Sequence, residues 1–137
     1  MKIGFIGCGN MATAMIKGIL DSGKVTAEQM IASAKSDQTR EKISSELGIA
    51  AAKTNVEVVD FADVVFLAVK PQYYEEVISE IKDDIQKNQV IVTIAPGKTL
   101  TWLSERLGSE VKIIRTMPNT PAMVKEGMMG MCKNELV

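Results

Sequence analysis

Six residues, Gly7-Cys8-Gly9-Asn10-Met11-Ala12, stand between a short apolar run and an amphipathic one, and that placement restricts the fold more than any other feature of the chain. The run before them, Ile3-Gly4-Phe5-Ile6, is a candidate buried strand. After them Met11, Met15, Ile16, Ile19 and Leu20 recur on one face of a helix predicted from Asn10 to Asp21, with Gly23 as its stop. A strand that turns through glycines into a helix is the opening unit of dinucleotide-binding α/β folds. In that reading Gly7 permits the tight turn and Gly9 lets main-chain amides approach a diphosphate. Ala12 keeps the helix close to the strand. The helix start adds unpaired N–H donors and a partial positive charge.

The rest of the chain repeats the alternation. Strands are predicted at Met30-Ile31-Ala32-Ser33, around Ile49 to Ala51, over Val64 to Val69, over Val90 to Ala95 and over Val111 to Ile114. Between them lie a helix capped by Asp37 that buries Ile43 and Leu47 and ends at Gly48, and a brief one capped by Asn55 across Val58 and Val59. Two more follow: one marked by Tyr74, Val77, Ile78, Ile81 and Ile85, and one capped by Thr99 that carries Leu100, Leu103 and Leu107 to Gly108. The unbroken apolar run Val64 to Val69 suits a strand covered on both faces. Strands separated by helices of this length imply right-handed βαβ units, hence an α/β, Rossmann-type, doubly wound and mostly parallel sheet with helices on both faces. From Met117 onward the pattern changes: two prolines, two glycines and five of the nine methionines precede or accompany an expected edge strand near Met128 to Cys132.

Composition narrows the function classes. A length of 137 residues fits one domain, and 46% apolar content supplies a core. Sixteen basic and seventeen acidic side chains leave a formal charge of −1, which argues against nucleic acid as a partner. No apolar run reaches the ~20 residues of a membrane span, and the glycines and asparagine at positions 7, 9 and 10 interrupt the amino-terminal apolar stretch too early for a secretory signal. The absence of histidine removes Ser-His-Asp and Cys-His mechanisms and imidazole metal sites, and no metal-ligand spacing is present. Cys8 and Cys132 have no paired spacing, which suits a reduced, cytoplasmic chain.

Ligand sites in such folds lie at the carboxyl ends of strands. The second strand ends in Ser33-Ala34-Lys35-Ser36, without the acid that usually holds a free ribose diol; Glu28 precedes that strand and should point away. Two hydroxyls and an ammonium suit a 2′-phosphate, so NADP(H) is preferred and NAD(H) remains possible. Further candidates are Ala68-Val69-Lys70-Pro71, Ala95-Pro96-Gly97 and the stiffened loop Arg115 to Pro121. Cys8 reads as a small residue in the phosphate loop and not as a nucleophile.

Gly4 through Met11, Ala68-Val69-Lys70-Pro71 and Arg115 through Ala122 together resemble pyrroline-5-carboxylate reductase, in the same order and over essentially the whole chain. The resemblance implies hydride transfer from NAD(P)H to the C=N bond of 1-pyrroline-5-carboxylate, giving L-proline. It implies main-chain contacts to the diphosphate at Cys8 through Ala12 and a 2′-phosphate near Ala34, Lys35, Ser36 and Asn55. Ala68 to Pro71 would flank the ribose, with Ala95, Met117, Asn119 and Thr120 toward the nicotinamide. It also implies a second, all-helical domain that forms a homodimer and completes the substrate pocket; this chain stops at Val137 without it and reads as the amino-terminal cofactor domain, inactive alone. No residue here is assigned as catalytic. Two alternatives stay open at this level: another NADP-dependent imine or β-hydroxyacid reductase, or a regulatory dinucleotide-sensing module.

Overall fold

The computed structural model describes residues 1–118 and 129–137. Among these residues seven strands form one sheet in the order β3-β2-β1-β4-β5-β6-β7. They are β1 (Ile3–Ile6), β2 (Met30–Ser33), β3 (Ala50–Ala52), β4 (Val64–Leu67), β5 (Val90–Thr93), β6 (Lys112–Pro118) and β7 (Met129–Lys133). The first six run parallel, and β7 adds antiparallel at the edge with Arg115 opposite Cys132. The chain builds outward from β1 to β3, then returns to the other side of β1 as β4. That reversal leaves a crevice where the carboxyl ends of β1 and β4 diverge.

Among the described residues five helices, α1 (Asn10–Asp21), α2 (Asp37–Lys42, extended by a π-helical turn over Ile43–Leu47), α3 (Asn55–Phe61), α4 (Tyr74–Ile81) and α5 (Leu100–Leu107), cover the two faces. On one face Ala12, Ile16, Ile43 and Leu47 pack with Phe5, Met30 and Ala32. The rings of Phe5 and Phe66 stack there with centroids 4.6 Å apart. The other face joins Val58, Tyr74, Ile78 and Leu103 to Ile6, Val65 and Ile91. Burial on both sides is why β1 and β2 are buried at every position and do not alternate, with Ser33 at the end of β2 as their one polar side chain.

Several boundaries differ from the sequence expectation, each for a local reason. Ser36, and not Asp37, caps α2: its hydroxyl accepts from the Thr39 amide at 3.1 Å, while Asp37 pairs with Arg40. Thr54, and not Asn55, caps α3 by accepting from the Glu57 amide at 3.3 Å. Helix α4 begins after a 3₁₀ turn over Pro71–Tyr73 and stops at Ile81, so Ile85 reaches the core from beyond the helix. Strands β4 and β5 end at Leu67 and Thr93, two residues short of expectation, and β6 runs on to Pro118. Among the described residues no helix is long and apolar enough to cross a membrane.

Candidate functional site

The crevice beside β1 and β4 holds a cleft of about 700 Å³. Its floor is Gly7, Cys8 and Gly9 with Ala68, Val69 and Lys70. One wall is Ser33, Ala34 and Lys35 after β2. The opposite wall is Lys53 to Val56 at the start of α3, with Tyr73, Val77 and Glu80 from the α4 region.

The floor is fixed by hydrogen bonds that tie three strand ends together. The Gly7 amide donates to the Ser33 carbonyl at 3.2 Å and toward the Ser33 hydroxyl at 3.3 Å, and the Ala68 amide donates to the Ile6 carbonyl at 2.8 Å. Gly7 adopts φ +90, and a Cβ there would stand 2.9 Å from Val69 Cγ1 and 3.1 Å from the Ala68 carbonyl oxygen. Only glycine fits both the conformation and the gap. Gly9 is different. Its φ of −84 is open to any residue, yet a Cβ would meet nothing within 4 Å. The space that glycine leaves at position 9 is open, on the border shared by the cleft and the smaller recess beside it.

Helix α1 starts at that point with its donors free of side-chain capping. Its N-cap residue is Gly9, and its first turn carries no acidic side chain, whereas α2, α3 and α5 begin on Ser36, Thr54 and Thr99. Unpaired amides and the helix dipole suit an anion. Among the described residues the charged side chains lining the cleft are Lys35, Lys53 and Lys70 against Glu80, three positive to one negative. Lys35 is exposed; its Nζ lies 3.9 Å from Glu76 and 5.0 Å from the Tyr73 ring centroid. Such a surface pair holds it only weakly.

The two hydroxyls expected to read a 2′-phosphate are engaged elsewhere. Ser33 is 2% exposed, and its Oγ donates to Asn55 Oδ1 at 2.8 Å. Ser36 caps α2. Lys35 is thus the polar side chain of the 34–36 turn that remains at the cleft. The turn itself is braced by Arg40, whose Nη1 donates to the carbonyls of Ala34 at 2.7 Å and Lys35 at 3.0 Å.

Of the predicted residues, Gly7, Cys8, Gly9, Ala34, Lys35, Asn55, Ala68, Val69 and Lys70 converge on this cleft. Asn10 lines a smaller recess of about 220 Å³ between α1 and α2, Met11 is half-buried in the first turn, and Ala12 is buried beneath it. Pro71 opens the 3₁₀ turn after β4. Ala95 packs into the core at 3% exposure, and Met117 stands exposed on β6; neither lines the cleft. Asn119 and Thr120 lie outside the described residues. Burial pushes the Cys8 thiol up, against a weaker opposing contact with Thr13 Oγ1 at 3.7 Å, which keeps it a protonated filler of the loop. On the far wall Asn55 is the one residue the sequence points to; Tyr73, on the 3₁₀ turn, and Glu80, on α4, carry no motif, and the packing of that region beside α3 brings them to the cleft.

This fold and glycine loop define a dinucleotide-binding domain, and comparison with known proteins refines the class. The profile of the family described as "NADP oxidoreductase coenzyme F420-dependent" matches residues 2–97, and the chain belongs to that family. Within it the similarity is to pyrroline-5-carboxylate reductases. The Escherichia coli K12 reductase is 44% identical over 99% of this chain. The solved Coxiella burnetii reductase superposes with a TM-score of 0.93 at 33% identity, over 99% of this chain and 50% of that one. The Plasmodium falciparum reductase, solved with NADP bound, gives 0.88 at 30% identity, over 100% of this chain and 49% of that one. The chain spans about half the length of the curated relatives it matches, 51% for the E. coli enzyme.

Proposed function

We propose that this domain holds NADP(H), and less tightly NAD(H), as the cofactor half of a pyrroline-5-carboxylate reductase. The observation that carries the reading is the coincidence at one point of the Gly9 opening, the uncapped start of α1 and the electropositive cleft. The family match and the NADP-bound relative support it. The main-chain amides of Cys8 through Ala12 would face the diphosphate. Lys35 and Asn55 would face the adenosine 2′-phosphate, and Ala68 to Lys70 the adjacent ribose.

A bound reduced nicotinamide supplies a hydride for a C=N carbon, giving L-proline from 1-pyrroline-5-carboxylate. This chain's residues bind and orient; none described is placed as an acid for the imine nitrogen. The reading includes a helical second part of the protein that completes the substrate pocket and forms a homodimer. Both described cysteines are free, which supports a reducing, cytoplasmic setting.

Fluorescence titration of residues 1–137 with NADPH tests the binding half: saturable enhancement is expected, and none would overturn it. Mixed with NADPH and 1-pyrroline-5-carboxylate, the same chain should turn over far below the protein carrying the helical part. Turnover by residues 1–137 alone that matches the longer protein would refute the division of labour.

A further inference from the structure

Glu80 faces the adenosine end of the cleft from α4, where the sequence offers no acid at the end of β2. The Ser33 hydroxyl donates to Asn55 Oδ1 at 2.8 Å, and Asn55 Nδ2 donates to Glu80 Oε2 at 2.7 Å. A carboxylate only accepts, so the Asn55 amide must turn its NH₂ toward Glu80 and its carbonyl toward the strand. One of the two N–H donors on the Asn55 Nδ2 that would meet a 2′-phosphate is therefore already bonded to an anion. No basic side chain lies within ion-pair distance of Glu80 among the described residues, so its charge is not neutralised locally.

We propose that Glu80 sets the choice between adenosine dinucleotides with and without a 2′-phosphate. Its carboxylate competes with the phosphate for the Asn55 amide and repels it, and accepts a hydrogen bond from a free 2′-hydroxyl. Glu80 thereby narrows, without reversing, the preference for a 2′-phosphate that Lys35 and Asn55 give the cleft. This rests on the dinucleotide reading of the cleft. It accounts for a cleft that carries three lysines among the described residues yet places an acid beside the side-chain amide of Asn55.

The test is titration of residues 1–137 and of Glu80→Gln and Glu80→Ala with NADPH and with NADH, followed by fluorescence. Glu80 is exposed, so both variants keep the fold. Glutamine keeps an acceptor for Asn55 and removes the charge. NADPH should bind Glu80→Gln about three- to tenfold more tightly, as one like charge removed a few ångströms away in a solvated cleft implies, while NADH binds no more tightly. Glu80→Ala should shift the preference the same way. An unchanged NADPH-to-NADH ratio in Glu80→Gln, or weaker NADPH binding in either variant, would assign Glu80 to propping Asn55 and overturn the proposal alone. Failure of the unaltered chain to bind either dinucleotide would overturn the cofactor reading and the proposal with it.

Discussion

Tyr74 and Gly7 each perform one task that a near neighbour in chemistry cannot. The Tyr74 ring is fully buried against the sheet, yet its hydroxyl donates to the Leu67 carbonyl at 2.6 Å and accepts from the Ile94 amide at 3.3 Å. It thus joins the carboxyl ends of β4 and β5. Burial pushes the phenol up to about 12, against smaller lowering contributions from the Ile94 and Ala95 amides. The folded state therefore holds the proton where the unfolded chain, near 10, has lost it. The stability so held is fully present below pH 10 and disappears as pH rises toward 12, by about 2–3 kcal/mol in all. Tyr74→Phe should lower stability at pH 7 by about 1–3 kcal/mol, because two main-chain groups lose their partner. It should also flatten the alkaline decline, which urea unfolding at pH 8 to 11.5 would measure. Gly7→Ala should cost about 1–3 kcal/mol through its positive φ and the contact with Val69, and chemical denaturation reads that directly.

At the scale of elements, α1 begins without a side-chain cap, as α4 does, and of the two only α1 starts from the glycine loop on the cleft floor. Gly9→Ser would place a competent cap at an extended φ/ψ with nothing in the way. Stability should rise by about 0.2–0.5 kcal/mol while dinucleotide affinity falls at least tenfold, since the hydroxyl now occupies the anion's donors. A fall in both would mean that the side chain disturbs the loop instead of filling it. The glycine loop and the alternation of elements could be read from the chain because they are written in local spacing. Cap positions were one residue late at α2 and α3, since Ser36-Asp37 and Thr54-Asn55 each pair two good capping residues and only backbone dihedrals separate them. Of the far wall, Asn55 was legible, but the α4 side was not. Glu80 sits on the polar side of an amphipathic helix, where periodicity predicts solvent, and the packing of α4 on α3 turns that position toward the cleft.

For the whole molecule, the sheet separates two apolar clusters, and the cleft lies above their shared edge. Its floor residues belong to both sides: Cys8 and Ala68 pack against one cluster and Val69 against the other. A ligand seated there contacts the ends of β1, β2 and β4 and the starts of α1 and α3, so it binds an arrangement that exists only when both halves are folded. Local opening at the cleft then becomes linked to global unfolding. With the folded form as sole binder, NADPH at a hundred times its dissociation constant should add about 2.7 kcal/mol, which for a domain of this size raises the melting temperature by roughly 8–10 °C. The rise should shrink with added salt, because three lysines attract a ligand that carries several negative charges. Differential scanning fluorimetry at increasing NADPH and at 0.05 and 0.5 M salt checks both statements. A melting temperature that stays fixed while fluorescence reports binding would mean that the ligand also binds an opened form, and that the cleft is not held by the two cores together.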